Sequence, residues 1–507
     1  MFNNLTRKLA DLAKTVHKEE VDVPGATSAS NDSIFFGDRV LASEEATKHF
    51  LAVGTTGSGK TVILRLLMQS ALRQVGLGRD TRALVYDAKQ DMMSVLSAYC
   101  DPRLVRTTNP FDERGVSWDL WKDIREPRVA VEIAFTLIPK THESQPFFSD
   151  AARHLMYGVI VSFMLSGHEW AFADLVRTLR SQRLLKQVLR KHPYCRDLIH
   201  LYFNDKRLLS NIMSTIATKM LPFEPIAAAW ESANESVSLE QWTQTEQILV
   251  LGNSETSRSA IDAINRCMFK RATDLTLAQS ESFRRRSWFI LDEVSEAGRL
   301  DGLISLLKKG RSKGAVVVLA IQSISGLRDQ KMYGPHFTDE ILGQIGSRFI
   351  GRLECPETAE WVSRLIGDQE RIQITRSVSS SKDGSSNTVS RSTGILRAVL
   401  PGELMSVPPA SYESGITGFF LMREEGCFRT TLPGNLVFDE WLEPNHPDVP
   451  DFLPRAVQTQ FLEPWTAEAA SKFGIDITPR VRRSKRRELG PAPLEAPTTA
   501  EFDDLFT

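Results

Sequence analysis

Gly54-Thr55-Thr56-Gly57-Ser58-Gly59-Lys60-Thr61 is a complete GxxxxGK[ST] pattern, and its two flanks decide the fold. Phe50 to Val53 ahead of it is a short apolar run suited to a buried strand. Behind it Ile63, Leu66 and Leu67 fall on one face of a helix. A strand entering a Gly-rich loop that opens into a helix is the setting in which such a loop wraps phosphate. The glycines let successive N–H groups turn toward one anion without Cβ clashes, and the helix adds the positive end of its dipole. All eight residues, Gly54, Thr55, Thr56, Gly57, Ser58, Gly59, Lys60 and Thr61, are therefore expected to bind a nucleotide. Lys60 is expected to reach the β- and γ-phosphates of ATP, and the Thr61 hydroxyl to coordinate Mg²⁺.

Downstream, Ser287-Trp288-Phe289-Ile290-Leu291-Asp292-Glu293 reads as an apolar strand that delivers two carboxylates. Asp292 is expected beside Mg²⁺, and Glu293 where a base would polarise the attacking water. Leu300, Leu303, Ile304 and Leu307 then mark one helix face. Lys309 to Gly314 leads into a further strand, Ala315 to Ile321. That strand ends at Gln322, well placed to sense a γ-phosphate. Two acids ending a core strand are common enough alone; with the phosphate loop upstream they point to hydrolysis.

Apolar runs at Ala83 to Tyr86, Ile248 to Leu251, Trp288 to Leu291, Ala315 to Ile321 and Arg348 to Leu353 alternate with helical patterns. This predicts an α/β fold of the RecA-like P-loop kind, with a mainly parallel sheet covered by helices. Between 141 and 240 strand signals vanish and helical spacing takes over, punctuated by Pro193, Pro222 and Pro225. The reading is an ATPase domain in two parts, 31–140 and 241–455, around an inserted all-α domain at 141–240. Phe2, Leu5, Leu9, Leu12 and Val16 give residues 1–30 an amphipathic helical pattern, which either folds back on the main domain or docks elsewhere. Residues 377–392 are Ser-rich and predict a hairpin or mobile loop. From 456 to 507 the composition predicts a flexible tail, with a basic run from Arg480 to Arg487 and an acidic–aromatic end.

The chain of 507 residues carries a formal net charge of −1, so any grip on nucleic acid must come from local basic surface or a charged pore. The longest apolar stretch, Leu155 to Leu165, is far short of the roughly 18 to 20 residues that span a bilayer. With no apolar signal core, a cytoplasmic location is expected, with peripheral docking on a membrane or partner through residues 1–20. Cys100, Cys195, Cys267, Cys355 and Cys427 are scattered singly and predict reduced, mostly buried thiols rather than disulfides or zinc.

The phosphate loop together with LDEVSEAGRLDGLISLLKKGRSKGAVVVLAIQS (291–323) resembles the nucleotide-binding domain of the type IV coupling proteins. These are the ATPases of conjugation and type IV secretion, related to the FtsK–HerA class of DNA pumps. YDAKQD (86–91), NPFDERGVSWDLWKDI (109–124) and ECPETAEWVSRLIGDQE (354–370) agree with the same family, over roughly residues 32–440. The resemblance implies that Lys60 and Thr61 meet nucleotide and Mg²⁺ and that Asp292 and Glu293 are the acidic pair. It further implies that Arg311 reaches a neighbour's ATP and that Gln322 senses the γ-phosphate. DNA, a homo-hexamer, and a relaxase or secretion-channel component are the partners it implies. Two departures stand out. The family usually begins with membrane helices, and Gln90 occupies a position where it commonly has Gly.

Three functional readings follow. The leading one is a hexameric, DNA-stimulated ATPase that feeds a relaxase-bound strand to a secretion channel. The second is a soluble translocase or helicase of a plasmid or mobile element. The third is a nucleotide-controlled adaptor with little hydrolysis, against which Glu293 and Arg311 both speak.

Overall fold

The computed structural model describes residues 33–41, 45–139, 146–381 and 384–477. The amphipathic pattern of residues 1–30 and the basic and acidic runs beyond 477 lie outside these residues.

A nine-stranded sheet organises the chain. In chain order its strands are β1 (Phe50–Val53), β2 (Thr81–Tyr86), β3 (Val105–Thr107), β4 (Ile248–Leu251), β5 (Arg286–Leu291), β6 (Ala315–Ile321) and β7 (Ser347–Ile350). A separate ribbon, β8 (Asp368–Ser381) and β9 (Gly384–Arg397), comes before the last two sheet strands, β10 (Ile416–Met422) and β11 (Gly426–Leu432). The spatial order is β11-β10-β7-β1-β6-β5-β2-β4-β3. β7 through β3 are parallel, and β10 and β11 add an antiparallel margin.

Alternation along these buried strands feeds two cores. Phe50, Ala52, Trp288 and Val318 point to the side covered by helix α1 (Lys60–Leu72), which buries Ile63, Leu66 and Leu67 as its spacing predicts. Leu51, Val53, Phe289 and Leu291 point to the other side, where the core runs on into the helical body.

A helix at Pro127–Leu137 precedes residue 141 and packs both on the helical body and on the later helix Arg258–Ala278. Helices at Pro127–Leu137, α2 (Pro146–Ser166), Phe172–Arg180, Gln182–Arg190, Pro193–Tyr202, Lys206–Met220 and Glu224–Glu231 follow one another. The first buries Val129, Ile133, Ala134 and Leu137, a helical spacing already present in the sequence. A short parallel pairing of Ser117–Trp118 with Ser236–Val237 closes the neck. Asp123 pins this neck. Its buried carboxylate accepts from Trp118 Nε1 (2.7 Å), Ser238 Oγ (2.7 Å), Leu239 N (2.7 Å) and Glu240 N (3.0 Å).

Return to the sheet brings α3 (Arg258–Ala278), α4 (Leu303–Lys309) and α5 (Pro356–Ile366). The Ser-rich segment is a hairpin, and its pairing starts well ahead of residue 377, at Asp368. A flexible tail from 456 is not what the chain builds. Residues 456–477 strap the helical body, ending in α6 (Ala467–Lys472). Trp465, Phe473 and Ile475 are buried, Phe473 lies 4.8 Å ring to ring from Phe163, and Trp465 Nε1 donates to Asp174 (2.6 Å). Polar composition hid three widely spaced apolar anchors. Of the five cysteines only Cys195 and Cys267 are buried, and Cys427 is exposed on the edge strand β11. Among the described residues no helix is long and apolar enough to cross a membrane.

Candidate nucleotide site

Register brings the site together. Val53 pairs with Ile321, Leu291 with both Tyr86 and Leu319, so β1, β2, β5 and β6 end along one edge of the sheet. Just past those ends stand Gly54, Asp87, Asp292 and Gln322. A crevice at the carboxyl ends of parallel strands is where such folds hold ligands.

The loop from Gly54 to Thr61 is shaped for an anion. Gly57 and Gly59 have φ of 74° and 89°, a region that disfavours any residue with a Cβ. A Cβ on Gly59 would sit 2.6 Å from Ile416. Ser58 Oγ is buried without a protein partner, and Lys60 turns its ammonium back on the carbonyls of Gly54 and Thr55 (3.0 Å to the latter). Burial pulls the Lys60 pKa down, and the charges of Glu293 and Asp292 oppose that. A cation resting on loop carbonyls, an unsatisfied hydroxyl and a helix N-terminus fit a phosphate chain. Thr61, half-buried in the first turn of α1, and Asp292 are the residues that fit a Mg²⁺ ion beside it.

The acidic pair is buried and wired. Gln322 Nε2 donates to Glu293 Oε2 (3.2 Å), and Ser295 Oγ donates to Glu293 Oε1 (2.5 Å). Glu293 and the sensor position expected at Gln322 are thus in direct contact. Asp292 has its pKa raised by burial, against the pull of Lys89, whose Nζ lies 4.0 Å away.

Lys89 and Asp87 are site residues that the sequence reading did not assign. Asp87 follows the strand end of β2 and accepts from the N–H groups of Asp91 and Met92 (3.2 Å each). Burial raises its pKa to about 6. A carboxylate ending a buried strand next to the acidic strand was the available signal. Gln90, directly after Lys89, has φ of 60°, and its side-chain amide donates to Asn253 O. This left-handed backbone is one that glycine would adopt without strain.

Arg311 stands apart. It is exposed at the amino end of β6, with Gln322 at the carboxyl end, about 20 Å away at strand rise. Its Nε donates to Thr47 Oγ1 (3.1 Å). Together with Lys48, Lys308, Arg348 and Arg423 it lines a hollow of about 540 Å³. The structure therefore gathers Lys60, Thr61, Asp292, Glu293 and Gln322 at one edge and leaves Arg311 on another face.

The fold and the site together define a RecA-like P-loop nucleotide-binding protein with a helical insertion. The sequence profile of the type IV secretion-system coupling protein DNA-binding domain matches residues 36–420, and the chain belongs to that family. It is 24% identical over 415 residues to the coupling protein TraD of Escherichia coli K12, covering 80% of this chain and 54% of that one. The chain thus spans about half the length of that curated relative. The bacterial conjugative coupling protein TrwBdeltaN70, unbound, superposes with a TM-score of 0.64 at 19% identity, over 89% of this chain and 94% of the other. The plasmid coupling protein TrwB in complex with ADP and Mg²⁺ gives 0.63 at 19% identity, over 89% and 95%.

Proposed function

We propose that this chain is an ATP-hydrolysing, DNA-moving motor of a conjugation or type IV secretion system. The observation that carries the reading is the meeting of Lys60, Asp292, Glu293 and Gln322 at one sheet edge, with Glu293 tied to Gln322. A relative's complex with ADP and Mg²⁺ supports ATP and Mg²⁺ as the ligands here.

In this reading the backbone N–H groups of the loop and Lys60 bind the phosphates, and Thr61 with Asp292 would hold Mg²⁺. When bound, the metal would neutralise charge on the phosphate chain. Glu293, whose two carboxylate oxygens accept from Ser295 and Gln322, orients the attacking water and takes up the proton that the water loses. Gln322 loses or keeps its bond to Glu293 according to whether a γ-phosphate is present. Arg311, on a different face, serves the site of the adjacent subunit in a homo-hexamer. The DNA is taken to be a relaxase-bound single strand, delivered to a channel component. The protein is placed in the cytoplasm, with residues 1–20 as a peripheral contact to the inner membrane.

ATP turnover without DNA and with single-stranded, linear duplex and circular DNA tests this. The reading expects strong stimulation by one of the three. No turnover under any condition would make the chain a nucleotide-binding adaptor.

A further inference from the structure

β8 and β9 pair without interruption from Asp368 opposite Arg397 out to Ser381 opposite Gly384. At about 3.3 Å per residue, strands of this length reach roughly 45 Å. The root is fixed to the body. Ala398 N donates to Gly367 O (3.0 Å), Ser363 Oγ donates to Val399 O (2.6 Å), and Arg397 pairs with Asp368 (3.0 Å) and Glu360 (3.5 Å). Past the root, among the described residues, the ribbon has no more than slight contact with any other helix or strand. A lone two-stranded ribbon is marginal in water unless something covers one of its faces.

Its faces differ. Cross-strand partners share a face, and faces alternate along each strand. Ile372 and Ile374 therefore lie on the same side as Ile395, Thr393, Arg391 and Val389. Four aliphatic side chains on that side are largely exposed: Ile372 at 68%, Ile374 at 55%, Val389 at 57% and Ile395 at 77%. Single exposed aliphatics are ordinary, but a run of them on one face of an unsupported ribbon marks a contact surface. Arg391 is set among these aliphatics, so contact with DNA is kept as a separate outcome of the test below.

The position of the root points to the partner. α5 starts beside the phosphate loop, where Thr55 Oγ1 donates to Glu354 (3.2 Å). It ends at Leu365 and Ile366, which line the hollow that contains Arg311. The ribbon thus leaves from the face that carries the arginine, and it is long enough to reach well beyond its own subunit. We propose that the apolar face of the ribbon lies on the body of the adjacent copy of this chain and holds neighbouring subunits together. This rests on the ring reading above.

The test replaces Ile374 in the full chain with photoreactive benzoylphenylalanine. Isotopically heavy and light chains are mixed, supplied with Mg²⁺, a non-hydrolysable ATP analogue and single-stranded DNA, then irradiated. The expected product joins a heavy chain to a light one. An adduct within one chain, an adduct to DNA, or no adduct in an assembled sample would overturn the proposal. In parallel, sedimentation of the Ile372→Ser/Ile395→Ser double variant should require at least about tenfold more protein to assemble. Nucleotide affinity and far-UV circular dichroism should be unchanged, since both side chains are exposed. Equal assembly of variant and wild type removes the ribbon's role and leaves the ring. A wild-type chain that stays monomeric with nucleotide and DNA removes both.

Discussion

Lys60 rests its ammonium on the carbonyls of its own loop, those of Gly54 and Thr55. Lys60→Ala is expected to abolish ATP turnover with unchanged far-UV circular dichroism; near-normal turnover by a folded variant would remove the site. His49 makes a different kind of demand. Val317 N donates to its Nδ1 (3.0 Å), so Nε2 carries the proton and donates to Leu307 O (3.0 Å). Burial, aided by the charge of Arg311 and opposed by the Leu307 carbonyl, brings its pKa to about 4 from 6.5. Below pH 6.5 the unfolded chain takes up the proton first, so stability present at pH 7 is lost as pH falls toward 4. At 1.36 kcal/mol per pH unit this amounts to about 2 kcal/mol between pH 6.5 and 5. Urea titrations at pH 7 and 5 should show that loss in wild type and a smaller one in His49→Gln. Equal losses would place the pH sensitivity elsewhere.

At the scale of elements, the strap of residues 456–477 is the part that composition misread. Trp465 and Phe473 stack at 5.9 Å and close over Phe163 of α2, while Arg177 Nε donates to Glu463 O (2.6 Å). Trp465→Ala is expected to cost about 3 to 5 kcal/mol, as for other large core aromatics, and to expose the helical body to limited proteolysis. Wild-type stability in Trp465→Ala would return the strap to the status of a loose tail. The sheet, by contrast, was legible, because parallel strands buried on both faces read as continuous apolar runs, as at Ala315 to Ile321. The phosphate loop and the acidic strand end were legible because their chemistry fixes residue types at fixed spacing. Lys89 was not, since its place beside Asp292 depends on β2 and β5 being neighbours, a fact of register rather than spacing. The strap was missed because its anchors are eight and two residues apart, at Trp465, Phe473 and Ile475.

For the whole molecule, the decisive fact is that Arg311 and Gln322 occupy opposite ends of one strand. An arginine so placed cannot reach the phosphates bound by its own subunit. Either it completes a neighbour's site or it is an ordinary surface cation. Arginines that reach a transferring phosphoryl group from another subunit contribute about 10³ to 10⁵ in rate. An exposed ion pair contributes about 1 kcal/mol or less. Arg311→Ala should therefore bind ATP nearly normally and hydrolyse it at least about a hundredfold more slowly, read as kcat with unchanged nucleotide affinity. Glu293→Gln should fail in the same way from the other side of the interface.

Mixing those two inactive proteins tests the central claim most directly. In a mixed ring some interfaces join an intact Glu293 of one subunit to an intact Arg311 of the next. The account predicts that ATP turnover reappears when Arg311→Ala and Glu293→Gln chains are combined, and rises and falls with their ratio. Verified mixed oligomers that remain inactive, or a monomer with full activity, would contradict it.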